Sequence, residues 1–396
     1  MNTNEINNLL DRGVEEVIER DHLIGLLDSG QKLRIKFGID PTGSDLHLGH
    51  AVVLRKLRQF QDLGHTAVLI IGDFTATIGD PSGRSETRKP LTEKEVKANF
   101  KKYLEQAHRI LSKKNLEVRY NSEWHKKQGL ASMLQLASSA TVQQTLRRAD
   151  FKKRLSEDND ITLLELMYPV LQGYDSVKVA ADVELGGTDQ KFNLLMGRRV
   201  QRFYGMKEQD VMTVPLIEGT DGIKKMSKSY GNYIGLKEDS NAMFSKVMAI
   251  PDNLIEKYFM LCTSVPEEDI KKTSTDMSSG KINPKEAKLK LASEIVRLYH
   301  GDKASESARE EFKKVFESKG LPSDMPVFSA GRGSITIIEL ILEAKLTPSK
   351  SEARRLIEQG AVKIDGEKVG NLEFSVDLKK ERVLQVGKRH FLRVRK

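Results

Sequence analysis

Residues 40–50 read DPTGSDLHLGH and place two Asp, a Pro, two Gly and two His in eleven positions, directly after an apolar run. His47 and His50 are three apart, so a helix begun here sets them on one face. Gly49 removes a side chain between them, which lets a planar base approach the backbone. Pro41 and Gly43 shape the loop, and Ser44 or Asp45 can cap the helix that follows. Helix N-terminal amides favour anions, and imidazoles can hydrogen-bond to phosphate oxygens as charge develops on them. Such a set can cradle a nucleoside triphosphate attacked at its α-phosphorus. Two other readings stand beside this one: a capped loop with two surface histidines, and a metal site, for which no third ligand lies nearby in the sequence.

A second stretch, GIKKMSKSYGN at 222–232, crowds Lys224, Lys225 and Lys228 between Gly222 and Gly231. Alone it reads as a solvated surface loop. Paired with the upstream HxGH it reads as a movable segment whose lysines follow a departing pyrophosphate and stabilise it in the transition state.

The elements around these stretches follow from periodicity. In LRIKFGID (33–40), Leu33, Ile35, Phe37 and Ile39 alternate with Arg34, Lys36, Gly38 and Asp40, which is a strand. Residues 51–63 have helical spacing and stop at Gly64. TAVLIIGD (66–73) is an apolar run suited to a strand covered on both faces. Strands are expected at 116–120, 181–186 and 211–216, with helical segments between. The alternation predicts an α/β fold, a doubly wound Rossmann-like parallel sheet over residues 1–230. In such sheets ligands bind beyond the carboxyl ends of the strands, where DPTGSDLHLGH falls. Residues 231–320 read as a helical domain, 321–333 as a Pro, Ser and Gly-rich linker, and 334–396 as a small α+β module. That module has a helix at 349–359 ending at Gly360, a hairpin turned at Asp365-Gly366, and a second hairpin at 383–394.

Composition narrows the class. Of 396 residues, 38% are hydrophobic and 31% charged, as in soluble globular chains, and no window approaches a membrane span. The start, MNTNEINNLLDRG, is too polar for a secretory signal. One cysteine, Cys262, excludes an intrachain disulfide and fits a reducing cytoplasm. The net charge is +9, of which +5 falls in residues 334–396, a basic appendage suited to a polyanion.

HLGH (47–50) and KMSKS (225–229) resemble the two signatures of class I aminoacyl-tRNA synthetases. From about Ile35 onward the chain resembles bacterial tyrosyl-tRNA synthetases of the shorter second type, through GDFTATIGDPSGR (72–84), YPVLQGYD (168–175) and GGTDQ (186–190). Residues 334–396 resemble the S4 RNA-binding domain found at that end of the family. The resemblance implies tyrosine activation by ATP, accompanied by Mg²⁺, followed by transfer to tyrosine tRNA. It casts His47, His50, Lys225 and Lys228 as the phosphate-stabilising catalytic set. ATP contacts would come from Asp40, Pro41, Thr42, Gly49, Asp189, Met226, Ser227 and Ser229 together with His47, His50 and Lys228. Asp80, Tyr168 and Gln172 would hold the ammonium, Asp175 the phenol hydroxyl, and Gly38, Asp40, Thr75 and Gln190 the rest of the amino acid. Tyr168 and Gln172 are four apart, so one helical face presents both. No metal ligands are expected in the protein.

The resemblance also implies a cytoplasmic homodimer formed through an insertion at about 125–165, with tRNA bound across both subunits, and an anticodon-side role for the helical domain. Lys350, Arg354 and Arg355 on one helix suit RNA phosphates, and deleting 334–396 should spare adenylate formation but damage aminoacylation. Arg147, Arg148, Lys152, Lys153 and Arg154 form a second basic run. There is one departure: Lys36 stands where the longer type has a Tyr that touches the substrate phenol. By alternation it faces the cleft, and pairing with Asp40 or Asp73, or outward displacement, are all open. Two rivals remain: a tryptophanyl-type or other adenylyl-transferring ligase, and a non-catalytic RNA-binding protein on the same scaffold.

Overall fold

The computed structural model describes residues 3–41, 43, 45–80, 92–316, 321, 325–387 and 390–396. Its largest sheet has six strands: β1 (Glu16–Ile18), β2 (Arg34–Ile39), β3 (Thr66–Ile71), β4 (Leu116–Tyr120), β5 (Val183–Gly187) and β6 (Asp210–Val214), in the spatial order β1-β6-β5-β2-β3-β4. Strands β2 to β6 are parallel to one another, as the apolar runs predict. The edge strand β1 lies antiparallel on β6 and was not foreseen, because three residues are too few to carry a period.

Helices cover both faces. Helix α1 (Thr3–Asp11) packs on α3 (Leu48–Asp62), and α2 (Arg20–Asp28) on β6. Every residue of β3 is buried. Its Leu69 and Ile71 meet Leu54 of α3 and Leu104 of α4 (Glu93–Ala107) on one face. Val68 and Ile70 point to the other face. There they join Trp124, Leu136, Leu171 and Met196 in one apolar cluster. These come from α5 (Ser122–His125), α6 (Leu130–Ala137), α9 (Leu163–Val179) and α10 (Lys191–Phe203), with α7 (Val142–Thr145) and α8 (Ala149–Ser156) between.

Strand β2 is where the order reverses, and the sheet parts there. The β2–β3 ladder runs to Ile39 against Ile71, and β5–β6 runs to Gly187 against Val214. Between β2 and β5 the paired residues are Ile35–Val183 and Lys36–Glu184 alone. Past Lys36 the two strands diverge and leave an open crevice at the carboxyl edge of the sheet, the position such sheets use for ligands.

The chain divides into two compact units, Met1–Ser305 and Glu306–Lys396. Helices α11 (Ser240–Met248), α12 (Ile255–Cys262), α13 (Glu267–Ser278) and α14 (Pro284–His300) belong to the first, and α15 (Asp302–Phe316) follows them in sequence. The second unit contains β7 (Val327–Ser329), β8 (Ser334–Thr336), α16 (Ile337–Glu343), α17 (Lys350–Glu358), β9 (Val362–Ile364), β10 (Glu367–Lys368), β11 (Ser375–Asp377), β12 (Arg382–Val386) and β13 (His390–Arg395). Five of its strands form a sheet in the order β10-β9-β12-β13-β7 over a core that includes Ile337, Leu340, Ile357 and Leu384. Part of the expected linker is therefore structured: 327–329 form β7, paired parallel with β13, while 322–324 lie outside the described residues.

Candidate active site

Helix α3 starts later than its polar lead-in suggests. Its N-cap is His47, not Asp45, and Ser44 and Thr42 lie outside the described residues. The cause is a backbone pairing. The Leu236 N–H donates to the Leu46 carbonyl (2.9 Å) and the Leu48 N–H to the Ile234 carbonyl (3.0 Å), which keeps 46–48 extended. The same pairing brings the histidine stretch beside the chain that leaves the lysine loop.

The His47 N–H donates to His50 Nδ1 (3.3 Å), which fixes the His50 proton on Nε2. The two rings lie 3.9 Å apart. Gly49 lines the cavity as expected, but the volume of its missing side chain is taken: a Cβ there would stand 3.0 Å from the His47 ring. The imidazole of His47, rather than a ligand's base, makes the close approach. Burial, then His50 and Lys228, hold His47 far below the ordinary imidazole range. Burial, then Lys228, push His50 down to about 4. Both rings are uncharged at pH 7 and offer N–H groups rather than cations.

The lysine loop is folded around Asn232, which is buried. Its Oδ1 accepts from the Ser227 N–H (2.8 Å), and its amide donates to Asp221 (3.0 Å) and to the Lys224 and Lys225 carbonyls (3.2 and 3.3 Å). Lys225 Nζ reaches Asp189 Oδ2 at 2.8 Å. Lys228 Nζ stands 4.0 Å from the Asp45 carboxylate, beside Gly43, and burial lowers its pKa.

A cavity of about 620 Å³ occupies the crevice. His47, His50, Lys225, Met226, Ser227 and Ser229 line one part of it, with Asp189. Gly38, Asp40, Thr75 and Asp80 line another, with Tyr168, Gln172, Asp175 and Gln190. Lys228 and Pro41 are not in its wall; the Pro41 carbonyl accepts from Asn99 (3.0 Å).

In the second part, hydrogen bonds run from Tyr168 through Asp40, Thr75 and Asn121 to Asp175. The Tyr168 hydroxyl donates to Asp40 Oδ2 (2.9 Å) and the Thr75 hydroxyl to Asp40 Oδ1 (2.8 Å). Burial, then Asp40, hold the Tyr168 phenol well above its ordinary range, so it stays protonated and donates. Gln190 Nε2 donates to Asp80 (2.9 Å). Asp175 is 3% exposed and its Oδ1 takes Trp124 Nε1–H (2.8 Å) and His125 Nε2–H (3.0 Å). Asn121 donates to both Asp175 Oδ2 (3.3 Å) and Thr75 Oγ1 (3.0 Å), bridging the two ends.

Asn121, Trp124, His125 and Asn232 escaped the sequence reading. The first three follow directly on β4, so the strand-end rule that singled out 40–50 also applies to NSEWH. Gly72 escaped as well: a Cβ there would fall 1.9 Å from Asp40 Oδ1.

Lys36 takes none of the three fates left open. It is fully buried and pairs with Glu184 at 2.8 Å, not with Asp40 or Asp73. The basic run at 147–154 is also split. Arg148 is buried against Asp150 (2.8 Å) and Asn193 (3.1 Å), and Arg154 against Glu165 (2.6 Å). Arg147, Lys152 and Lys153 are exposed. Lys350, Arg354 and Arg355 are all exposed on α17.

Residues 28–317 match the family described as tRNA synthetases class I (W and Y), and residues 317–394 the tyrosine–tRNA ligase SYY-like C-terminal domain. The chain is 52% identical to the tyrosine–tRNA ligase of Thermotoga maritima, over 98% of this chain and 96% of that protein. It is 48% identical to that of Moorella thermoacetica, over 98% and 94%. Among solved structures, the tyrosyl-tRNA synthetase of Archaeoglobus fulgidus complexed with L-tyrosine has the same fold (TM-score 0.64, 20% identity), covering 78% of this chain and 100% of that one.

Proposed function

The chain belongs to the class I tyrosine–tRNA ligases, and from that premise we propose that it activates L-tyrosine with ATP and transfers the tyrosyl group to the 3′ end of tyrosine tRNA. The observation that carries this reading is a single cavity with two chemistries. One part holds neutral imidazoles and the lysine loop; the other holds Asp175 with three donors on its carboxylate.

Tyrosine lies across Gly38, its ammonium near Asp80, Tyr168 and Gln172 and its hydroxyl donating to Asp175. The carboxylate then attacks the α-phosphorus directly, with no covalent enzyme intermediate, so positioning and electrostatics supply the rate. His47 and His50 donate N–H groups to oxygens that gain charge, and Lys225 and Lys228 accompany the leaving pyrophosphate. Asp189 exchanges its bond to Lys225 for one to the ribose. Asp40, Thr75 and Gln190 keep the reacting carboxylate in place. ATP brings Mg²⁺ on its own phosphates. Among the described residues there is no group of three or more His, Cys, Asp or Glu placed to hold a metal.

The homodimer forms through the segment at about 125–165. Supporting this, Leu130, Leu134, Val142, Leu155, Leu163 and Leu164 are all exposed there, an apolar surface of the kind that marks association. The second unit binds a distant part of the tRNA through Lys350, Arg354 and Arg355. The reaction takes place in the cytoplasm, which suits the lone buried Cys262; no helix among the described residues is long and apolar enough to cross a membrane.

Amino-acid-dependent ATP–pyrophosphate exchange tests the reading. Tyrosine should support exchange, and phenylalanine should fall at least about 30-fold lower because it brings no donor to the remaining acceptor position of the buried Asp175 carboxylate. Exchange driven by tryptophan would favour the tryptophanyl alternative, and no exchange with any amino acid would favour the RNA-binding one.

A further inference from the structure

Lys36 and Glu184 are the last residues paired between β2 and β5 before the strands part to form the cavity. Their side chains meet at 2.8 Å with 0% and 1% exposure. Lys36 Nζ also donates to Ser176 Oγ (2.8 Å) and to the Gln172 carbonyl (3.0 Å), both on α9. Glu184 accepts from Ser176 Oγ (3.1 Å), from Gln209 Nε2, and from Gln172 Nε2 (3.5 Å). Neither Lys36 nor Glu184 lines the cavity, but Gln172 does, and so does Asp175, one residue before Ser176. Helix α10 leaves room for this cluster at Gly197, where a Cβ would stand 2.8 Å from Glu184 Oε2 and 3.1 Å from Ser176 Oγ.

We propose that the buried Lys36–Glu184 pair is a positioning element for tyrosine. It closes the base of the slot and fixes the turn of α9 that presents Gln172 to the ammonium and Asp175 to the hydroxyl. Strand β2 holds α9 at two places, through Asp40 to Tyr168 and through Lys36 to Gln172 and Ser176, and Gly38 lies between them on the same strand face. The distance between strand and helix over Gly38 is thereby fixed at both ends. Glu184 also engages the Gln172 amide nitrogen, which leaves the amide oxygen as the group turned to a substrate cation. Lys36 acts through these residues and does not touch the substrate.

This inference rests on the tyrosine site proposed above, and its test separates the two. Lys36→Met/Glu184→Met removes both charges and keeps apolar volume, a replacement that buried ion pairs often tolerate. Ser176→Ala, a milder change, keeps the pair and its contacts with Gln172 but removes the hydroxyl that both charged groups share on α9. In pyrophosphate exchange the double variant should raise the KM for tyrosine by about 10-fold or more while the KM for ATP stays within about twofold, because misplacement of binding groups by about 1 Å is costly. Ser176→Ala should raise the tyrosine KM about threefold, in the same selective way. A purely structural role would lower the melting temperature and leave both KM values alone. If a folded double variant, or Ser176→Ala where the double variant does not fold, keeps the wild-type tyrosine KM, the positioning role is wrong. A wild-type chain without tyrosine-dependent exchange would instead remove the function reading and this inference with it.

Discussion

His50 is half-buried, and two consequences follow from its desolvation. On the proposed mechanism it meets phosphate oxygens as an Nε2–H donor, so activity does not depend on protonating it. In the free protein, its pKa of about 4 lies below that of an unfolded imidazole. Between pH ~6.5 and ~4 the unfolded chain takes up a proton that the folded chain refuses, so this stability is complete above pH 6.5 and is lost as pH falls. For His50 alone the loss reaches about 3 kcal/mol near pH 4. Melting temperatures measured from pH 7 to pH 4.5 should fall less steeply for His50→Gln than for wild type; equal slopes would contradict the neutral, half-buried ring. At this scale the sequence was half legible. Alternation along 33–40 put Lys36 on the face of Gly38 and Asp40, where it is, but its partner Glu184 lies 148 residues away, and only the parallel register brings the two together. Asp175 was legible through YPVLQGYD, whereas its donors Trp124 and His125 sit on a four-residue helix with no period of its own.

Among the elements, α17 best matches its sequence reading. Ser349 caps it, with its side chain accepting from the Glu352 N–H (3.2 Å), Ala353 and Ile357 are buried, and Lys350, Arg354 and Arg355 remain exposed. Arg355 spends part of its charge on Glu352 at 2.5 Å, a surface pair that contributes little to stability and can be exchanged for a phosphate. Replacing Lys350, Arg354 and Arg355 together by Gln should weaken tRNA binding and reduce the slope of log affinity against log salt by about 2–3, with tyrosine-dependent exchange unchanged. An unaltered salt slope in a filter-binding titration would show that this face does not meet RNA. The start of α3 was misread for a nonlocal reason. Ser44 and Asp45 are good caps by type, but pairing of 46–48 with 234–236 holds the chain extended until His47. Basic runs mislead in a similar way: Arg148 and Arg154 look like their neighbours in sequence and are buried ion-pair partners in the fold.

At the scale of the molecule, the alternation of apolar runs and helices made the parallel sheet legible, and the strand-end rule located its crevice. The divergence of β2 from β5, which creates the crevice, depends on register and was not. The exposed Leu130, Leu134, Val142, Leu155, Leu163 and Leu164 are the residues on which the proposed homodimer rests. Leu134→Glu with Leu163→Glu should shift sedimentation from dimer to monomer, and a wild-type chain that sediments as a monomer at micromolar concentration would contradict the proposed assembly. The central claim, however, concerns convergence: imidazoles at the carboxyl edge of the sheet and ammonium groups from the 222–232 loop act on one leaving pyrophosphate. Single-turnover formation of tyrosyl-adenylate tests this most directly. His50→Gln and Lys228→Ala should each slow the step by about 100-fold while the dissociation constant for tyrosine is unchanged. Wild-type rates in both variants, or a loss confined to tyrosine binding, would contradict it.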